Sequence, residues 1–305
     1  MNDDKNTTSS HTWGTENPAP LVVIVGPTAS GKSAVGMEIA KEFGGEIICA
    51  DSRTIYKGLD IGTAKPTAQD QKDVPHHGLD LVEPGDVFTA ADFKEYAVQK
   101  IAEIRQRGRV PLLVGGTGLY VDGILFDYQF GAPNLELREE LAQLSLEELQ
   151  ERCKKDNVRL PENPKNRRQL QRALEQNGVN TQRSQTIPQN TIVVGIATDT
   201  DELRKRITQR ADELFTSGMI EEATQLGKRY GWDSEAMTGN IYPLVRQYLD
   251  GQLTREELRE KFITSDWRLA KRQRTWLKRN TFIHWKTRQE AADFIRQEIA
   301  ARKLA

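Results

Sequence analysis

Leu21-Val22-Val23-Ile24-Val25-Gly26-Pro27-Thr28-Ala29-Ser30-Gly31-Lys32-Ser33 is the stretch of this 305-residue chain whose reading decides the fold. Leu21–Val25 is an unbroken β-branched and aliphatic run, as expected of a strand buried on both faces in a parallel sheet. It runs into Gly26-Pro27-Thr28-Ala29-Ser30-Gly31-Lys32-Ser33, a full G-x-x-x-x-G-K-[ST] match. Val35, Ile39 and Phe43 then recur four apart, so a helix starts where the glycines stop. In that context the glycines let the backbone turn its N–H groups onto one phosphate group at the positive end of the helix dipole. Lys32 would neutralise the anion and Ser33 would ligate Mg²⁺. The motif says that phosphate or pyrophosphate binds, and leaves open what is done to it.

Glu46–Ala50 reads as a second strand that delivers Asp51-Ser52 to its carboxyl end, the edge of an open α/β sheet where ligands sit. Asp51 is therefore the first carboxylate expected beside the loop. Tyr56–Pro66 is too glycine-rich for a regular element and is expected to be an ordered loop over the site. His76-His77, flanked by Pro75 and Gly78, lacks partners at metal-ligand spacing and is expected in a loop. Thr89-Ala90-Ala91-Asp92 has capping-box form, with Phe93, Ala97, Ile101 and Ile104 as the buried stripe behind it. A third strand, Val110–Val114, enters Gly115-Gly116-Thr117-Gly118, where glycines point to close backbone approach and Thr117 presents a hydroxyl. No acid follows Val114, which argues against a motor-type or switch NTPase.

Residues 131–184 change character. Leu135–Arg152 is charged and helical, Pro161 and Pro164 break it, and Arg167–Leu174 forms a further helix. Lys154, Lys155, Arg159, Lys165, Arg167, Arg168, Arg172 and Arg183 help basic residues outnumber acidic ones here, which fits either a polyanion-binding insertion or a closing lid. Ile192–Ala197 resumes the sheet. Thr200 is the expected cap of a helix with Leu203, Ile207, Ala211 and Leu214 buried, leaving Arg206 and Arg210 on one flank. Such a pair can clamp a pyrophosphate or simply stand at the surface. Near the end, Arg268, Lys271, Arg272, Arg274, Lys278 and Arg279 interleave with Trp267, Trp276 and Trp285, which fits RNA phosphates and stacked bases or a packed tryptophan stripe under a solvated basic face.

The expected architecture is α/β: a P-loop parallel sheet flanked by helices (21–130 and 185–305) with a small all-helical insertion domain (131–184). Residues 1–20 are polar, lack an apolar signal segment and are expected to form a disordered leader. No apolar run approaches bilayer length. A net charge of -1 places any nucleic-acid contact on a local basic face. Two distant cysteines, Cys49 and Cys153, fit a reducing, cytoplasmic setting.

Taken together, these residues resemble the tRNA dimethylallyltransferases, or tRNA isopentenyltransferases, over roughly residues 20–285. The resemblance is carried by the P-loop, Asp51-Ser52, Gly58–Pro66 with its Gly-Thr-Ala-Lys-Pro, Leu112–Tyr120 with its Gly-Gly-Thr, Arg172–Glu175 and Ala270-Lys271-Arg272-Gln273. It implies transfer of a dimethylallyl group from dimethylallyl diphosphate to N6 of adenosine 37 beside the tRNA anticodon. It implies a diphosphate, not necessarily ATP, in the P-loop with Mg²⁺ on Ser33, Asp51 as general base, and Thr28 and Thr117 near the reacting centre. Arg206 and Arg210 are the candidates for the departing pyrophosphate, and the target base is expected to be flipped out of its loop. Contacts to tRNA are expected from Asp51, Ser52, Arg53, Thr54, Thr117, Lys271, Arg272 and Gln273, and at the anticodon stem from Arg138, Arg167, Arg168, Gln169, Leu170, Gln171 and Arg172. A monomer is expected.

This chain departs from the family pattern at Thr54 where glutamine is usual, at Asn240-Ile241-Tyr242-Pro243 in place of a Gly-Tyr-Lys-Glu-like stretch, and at Trp267 where arginine is common. No zinc-finger tail follows, as in bacterial or organellar forms. Three rivals remain at this stage: a P-loop kinase with residues 131–184 as its lid, an adenylate isopentenyltransferase acting on free AMP or ATP, and an RNA-binding module with a vestigial P-loop.

Overall fold

The computed structural model describes residues 18–131, 134–161, 163–177 and 183–304, so the expected leader lies outside the described residues up to residue 17. The chain divides into a larger unit, Met1–Val121 with Gln189–Ala305, and a smaller one, Asp122–Pro188, wider than the 131–184 expected from composition.

The larger unit is built on a six-stranded sheet: β1 (Leu21–Val25), β2 (Glu46–Ala50), β3 (His76–His77), β4 (Pro111–Gly115), β5 (Thr191–Ile196) and β6 (His284–Lys286). Its order is β3-β2-β4-β1-β5-β6 and every pairing is parallel. All residues of β1, β2, β4 and β5 are buried, as continuous apolar runs covered on both faces should be. The two outer strands escaped the sequence reading. His76-His77 pairs with Ile47-Ile48, where His77 Nε2 lies 2.6 Å from the buried Glu46 carboxylate. His284–Lys286 pairs with Val194–Ile196.

Helices α1 (Lys32–Phe43), α2 (Ala68–Asp73), α3 (Ala90–Gln106) and α4 (Gly118–Leu125) alternate with the first strands. Gly44, in the left-handed region at φ 61°, closes α1. Thr89 and Asp92 form the expected capping box of α3, and Phe93, Ala97, Ile101 and Ile104 are its buried residues. Within Asp122–Pro188, α5 (Leu135–Gln143), α6 (Leu146–Lys155) and α7 (Arg167–Gln176) bury Leu141, Leu149, Cys153, Leu170 and Leu174 in a core of their own.

After β5 come α8 (Thr200–Thr216), α9 (Met219–Tyr230), a 3₁₀ turn at Glu235–Thr238, α10 (Tyr242–Leu249), α11 (Arg255–Leu277) and, past β6, α12 (Arg288–Leu304). The cap of α8 is Asp199 rather than Thr200: its carboxylate accepts the N–H groups of Asp201 and Glu202, while Thr200 is already helical. The expected stripe of Leu203, Ile207, Ala211 and Leu214 is buried. Among the described residues no helix is long and apolar enough to cross a membrane.

The carboxyl ends of β2 and β4 meet at main-chain distance. A Cβ on Gly115 would sit 2.1 Å from the Ala50 carbonyl oxygen, so this position admits only glycine without a shift of β2. Gly115→Ala is expected to destabilise the fold by about 1–3 kcal/mol through overpacking, read as a lower urea midpoint with an unchanged m-value.

Candidate active site

Because all strands are parallel, β1, β2 and β4 release their next residues on one edge of the sheet. From β1 the chain enters the P-loop, which bends through Ala29 at φ 59° and Gly31 at φ 91° into the first turn of α1. Ser30 is buried, and its hydroxyl, with no hydrogen-bond partner among the described residues, lies against Gly26, where a Cβ would come within 2.6 Å of it. From β2 the chain delivers Asp51, whose Oδ1 accepts the Arg53 N–H at 2.8 Å. From β4 comes Thr117, whose N–H donates to the Ala50 carbonyl at 3.2 Å and whose hydroxyl accepts the Ser52 N–H at 3.1 Å. Thr117 and the end of β2 are therefore one hydrogen-bonded piece.

These elements wall a cleft of about 840 Å³ lined by Ala29, Gly31, Lys32, Ser33, Ile47, Cys49, Asp51, Thr54, Val114, Gly115, Arg206, Arg210 and Arg288, among others. Lys32 and Asp51 thus share one cavity. Desolvation by burial pushes the Lys32 ammonium down to about 8; Asp51 is the largest influence raising it back, Arg210 lowers it further, and Asp266 and Cys49 raise it. The Lys32 ammonium donates to the Pro27 carbonyl at 3.3 Å. Desolvation and the Asp51 charge push the Cys49 thiol up to about 12, which makes it an inert part of the wall. The Ser33 hydroxyl has no hydrogen-bond partner among the described residues.

Helix α8 closes the other side, with α11 packed against it. Arg206 donates to the Ser30 carbonyl at 3.1 Å and to Glu202 at 2.8 Å. Arg210 donates to the Thr28 hydroxyl and, at 3.1 Å, to Asp266. Gln273 accepts the Thr28 N–H at 2.8 Å, so this residue, expected at the tRNA, braces the P-loop backbone. Lys271 and Arg272 are exposed on the same helix.

The overhanging Tyr56–Pro66 loop contributes Thr63, Ala64 and Pro66 to the cleft. One carboxylate holds it: Glu222 of α9 accepts the N–H groups of Asp60, Ile61 and Gly62 at 2.9, 2.6 and 2.9 Å, and also the Tyr242 hydroxyl at 3.0 Å. Arg53 donates to the Glu235 carbonyl at 2.6 Å, and Thr54 is buried.

The tryptophans resolve toward packing. Trp276 covers Gly118 and Trp285 covers Gly195. Trp267 packs with Ala29, Leu203, Ile207 and Ala270, with Arg204 and Lys271 at 4.7 and 5.7 Å from its ring centroid.

In the small unit, Arg138 and Arg172 both pair with the buried Glu175 carboxylate at 2.6 and 2.9 Å. Arg167 donates to the Ala142 carbonyl, Gln169 accepts the Asn163 N–H, and Gln171 donates to the Leu141 carbonyl. Arg168 is exposed. Leu170 is 0% exposed, its side chain in the core of this unit.

A family model for IPP transferase matches residues 54–280. The chain belongs to the IPP transferase family. It is 38% identical over 299 residues to the tRNA dimethylallyltransferase of Pelotomaculum thermopropionicum, covering 92% of this chain and 95% of that one. It is 35% identical to that of Bacillus subtilis, covering 87% and 90%. Among solved structures, the tRNA isopentenylpyrophosphate transferase of Bacillus halodurans matches with a TM-score of 0.72 at 34% identity, over 93% of this chain and 98% of that one. A eukaryotic dimethylallyltransferase matches with a TM-score of 0.75 at 21% identity, a likeness of fold. The family match begins at Thr54, so the P-loop and Asp51 precede it.

Three features of this IPP transferase site were not singled out in the sequence: Asp266, Asn240 as its partner, and Glu222. Asp266 had a signal. Leu258, Phe262, Asp266 and Ala270 are spaced four apart and all buried, so an acid occupies the apolar stripe of α11.

The Lys32 environment makes anion affinity depend on pH. Below about 8 the free side chain is an ammonium; above it, binding an anion requires proton uptake, so affinity falls as pH rises. Titration with inorganic pyrophosphate from about pH 7 to about pH 9 is expected to show this loss. Lys32→Ala, weaker throughout, is expected to lack that part of the slope.

Proposed function

We propose that the chain transfers a dimethylallyl group from dimethylallyl diphosphate to N6 of adenosine 37 in the anticodon stem-loop of tRNA, releasing diphosphate. The observation that carries this reading is the single cleft shared by the Lys32 ammonium and the Asp51 carboxylate, in a chain of the IPP transferase family. A kinase would also bind phosphate here, but would not account for relatives that bear the tRNA dimethylallyltransferase name over nine-tenths of their length.

The residues divide the work by charge. Main-chain N–H groups of residues 29–33 and Lys32 hold the diphosphate at the N-terminus of α1, with Arg206 and Arg210 toward its outer oxygens. As N6 attacks the allylic carbon, the N–C bond forms, the C–O bond to diphosphate breaks, and the N6 proton passes to Asp51. One Asp51 oxygen is engaged by the Arg53 N–H, and Oδ2 has no partner among the described residues, leaving it available as base. Thr117 holds the Asp51-Ser52 turn in place, and the Thr28 hydroxyl, bonded by Arg210, stands beside the leaving group. Charge building on that group is met by fixed cations rather than by reorganising water.

Mg²⁺ fits the donor set. The Ser33 hydroxyl lines the cleft without a protein partner, and among the described residues no cluster of three His, Cys, Asp or Glu could hold a metal alone. An ion there would take Ser33 and oxygens of substrate and water, and when bound it supplies neutralisation of the diphosphate.

On this reading the exposed cations of α11, Lys271 and Arg272, and Arg168 in the smaller unit meet RNA phosphates, and a cytoplasmic monomer suffices. The adenine must leave the stacked loop to reach a cleft of this kind.

Incubation with dimethylallyl diphosphate and an unmodified tRNA, followed by nucleoside mass spectrometry, is expected to yield N6-dimethylallyladenosine; ATP consumption without prenyl transfer would favour the kinase. Asp51→Ala is expected to lower turnover about 10²–10⁴-fold while tRNA still binds. Arg168→Ala is expected to flatten the log-log salt dependence of tRNA binding by about one unit; an unchanged slope would return Arg168 to a solvated surface.

A further inference from the structure

An acid buried beside an anion site is electrostatically adverse, and Asp266 is such an acid. It is 2% exposed, in the middle of α11, within a face otherwise made of Leu258, Phe262 and Ala270. A buried carboxylate needs partners. Both its oxygens have one: Oδ2 accepts from Arg210 at 3.1 Å and Oδ1 from the Asn240 amide at 3.2 Å. Arg210 reaches from this pair to the Thr28 hydroxyl in the P-loop. A chain of contacts therefore runs Asn240, Asp266, Arg210, Thr28, from the segment before α10 to the phosphate-binding loop.

The same carboxylate costs anion affinity, since it partly cancels the guanidinium that should meet the diphosphate. What it provides is geometric. An arginine carries many rotamers, and one held by a carboxylate on one side and a hydroxyl on the other is fixed before substrate arrives. Fixed charge is what stabilises a developing anion without reorganisation.

We propose that Asp266, held by Asn240, is a positioning residue that locks Arg210 toward Thr28 for the departing diphosphate, trading ground-state affinity for transition-state stabilisation. This rests on the proposed prenyl transfer for its catalytic half only, because the effect on diphosphate binding is measurable without tRNA or turnover.

Asp266→Asn keeps the side-chain shape, removes the charge and provides the test, with folding checked by the unfolding midpoint. Transfer kcat is expected to fall about 10-fold, the scale of one hydrogen bond to a charged group. Affinity for inorganic pyrophosphate near neutral pH is expected to hold or rise. In the Arg210→Ala background, Asp266→Asn is expected to cost little more. Asn240→Ala, a second variant that leaves the carboxylate in place, is expected to lower kcat in the same direction and leave pyrophosphate affinity unchanged. Parallel loss of kcat and pyrophosphate affinity, an unchanged kcat, or full additivity with Arg210→Ala would overturn the proposal. If no variant and no wild-type protein transfers the prenyl group, the pyrophosphate titrations still decide the electrostatic half.

Discussion

The site depends on the sharp bend of the chain between β1 and the start of α1. The P-loop achieves this through left-handed backbone at Ala29 and Gly31, conformations that cost little at glycine and more at alanine. Several surrounding contacts bear on that loop. Gln273 takes the Thr28 N–H, Arg206 takes the Ser30 carbonyl, and Arg210 takes the Thr28 hydroxyl. Helices α8 and α11 are thus fastened to the phosphate loop by polar contacts at one end, while their apolar faces pack together through Leu203, Ile207 and Ala270.

The second constraint is the close approach of β2 and β4. It ties the turn after β2 that carries Asp51 to Thr117 after β4 and leaves no room for a side chain at Gly115. Lys32 and Asp51 then line one cavity, one from the start of α1 and the other from just past the end of β2. Burial lowers the titration of the lysine, and the carboxylate is the leading influence that raises it back. The smaller unit has its own version of the same physics, in which buried Glu175 draws Arg138 and Arg172 together. Desolvation would raise the Glu175 carboxyl, but the bonds from Arg138 and the Asn134 N–H and the nearby arginine charges hold it below the usual range.

Much of this was legible in the sequence. The runs at Leu21–Val25 and Glu46–Ala50 are strands, and that expected at Val110–Val114 is one shifted by a residue to Pro111–Gly115, because residues covered on both faces need no polar alternation. The stripe of α3 was readable because its period is helical and its capping box marks the start. What escaped had weak local signals. His76-His77 and His284–Lys286 are two and three residues long, and they become strands only because a neighbouring strand offers its edge. Glu222 sits in an ordinary amphipathic helix, and nothing local says that it captures the N–H groups of a loop some 160 residues earlier. Leu170 sits in a basic run, and its side chain is buried in the core of the smaller unit.

The most direct test of the central claim is a crystal structure of the chain with inorganic pyrophosphate. The expected result is the anion on the N–H groups of residues 29–33 and the Lys32 ammonium, with the Asp51 carboxylate facing it across the same cavity. Pyrophosphate bound elsewhere, or an Asp51 carboxylate turned out of that cavity, would contradict the account.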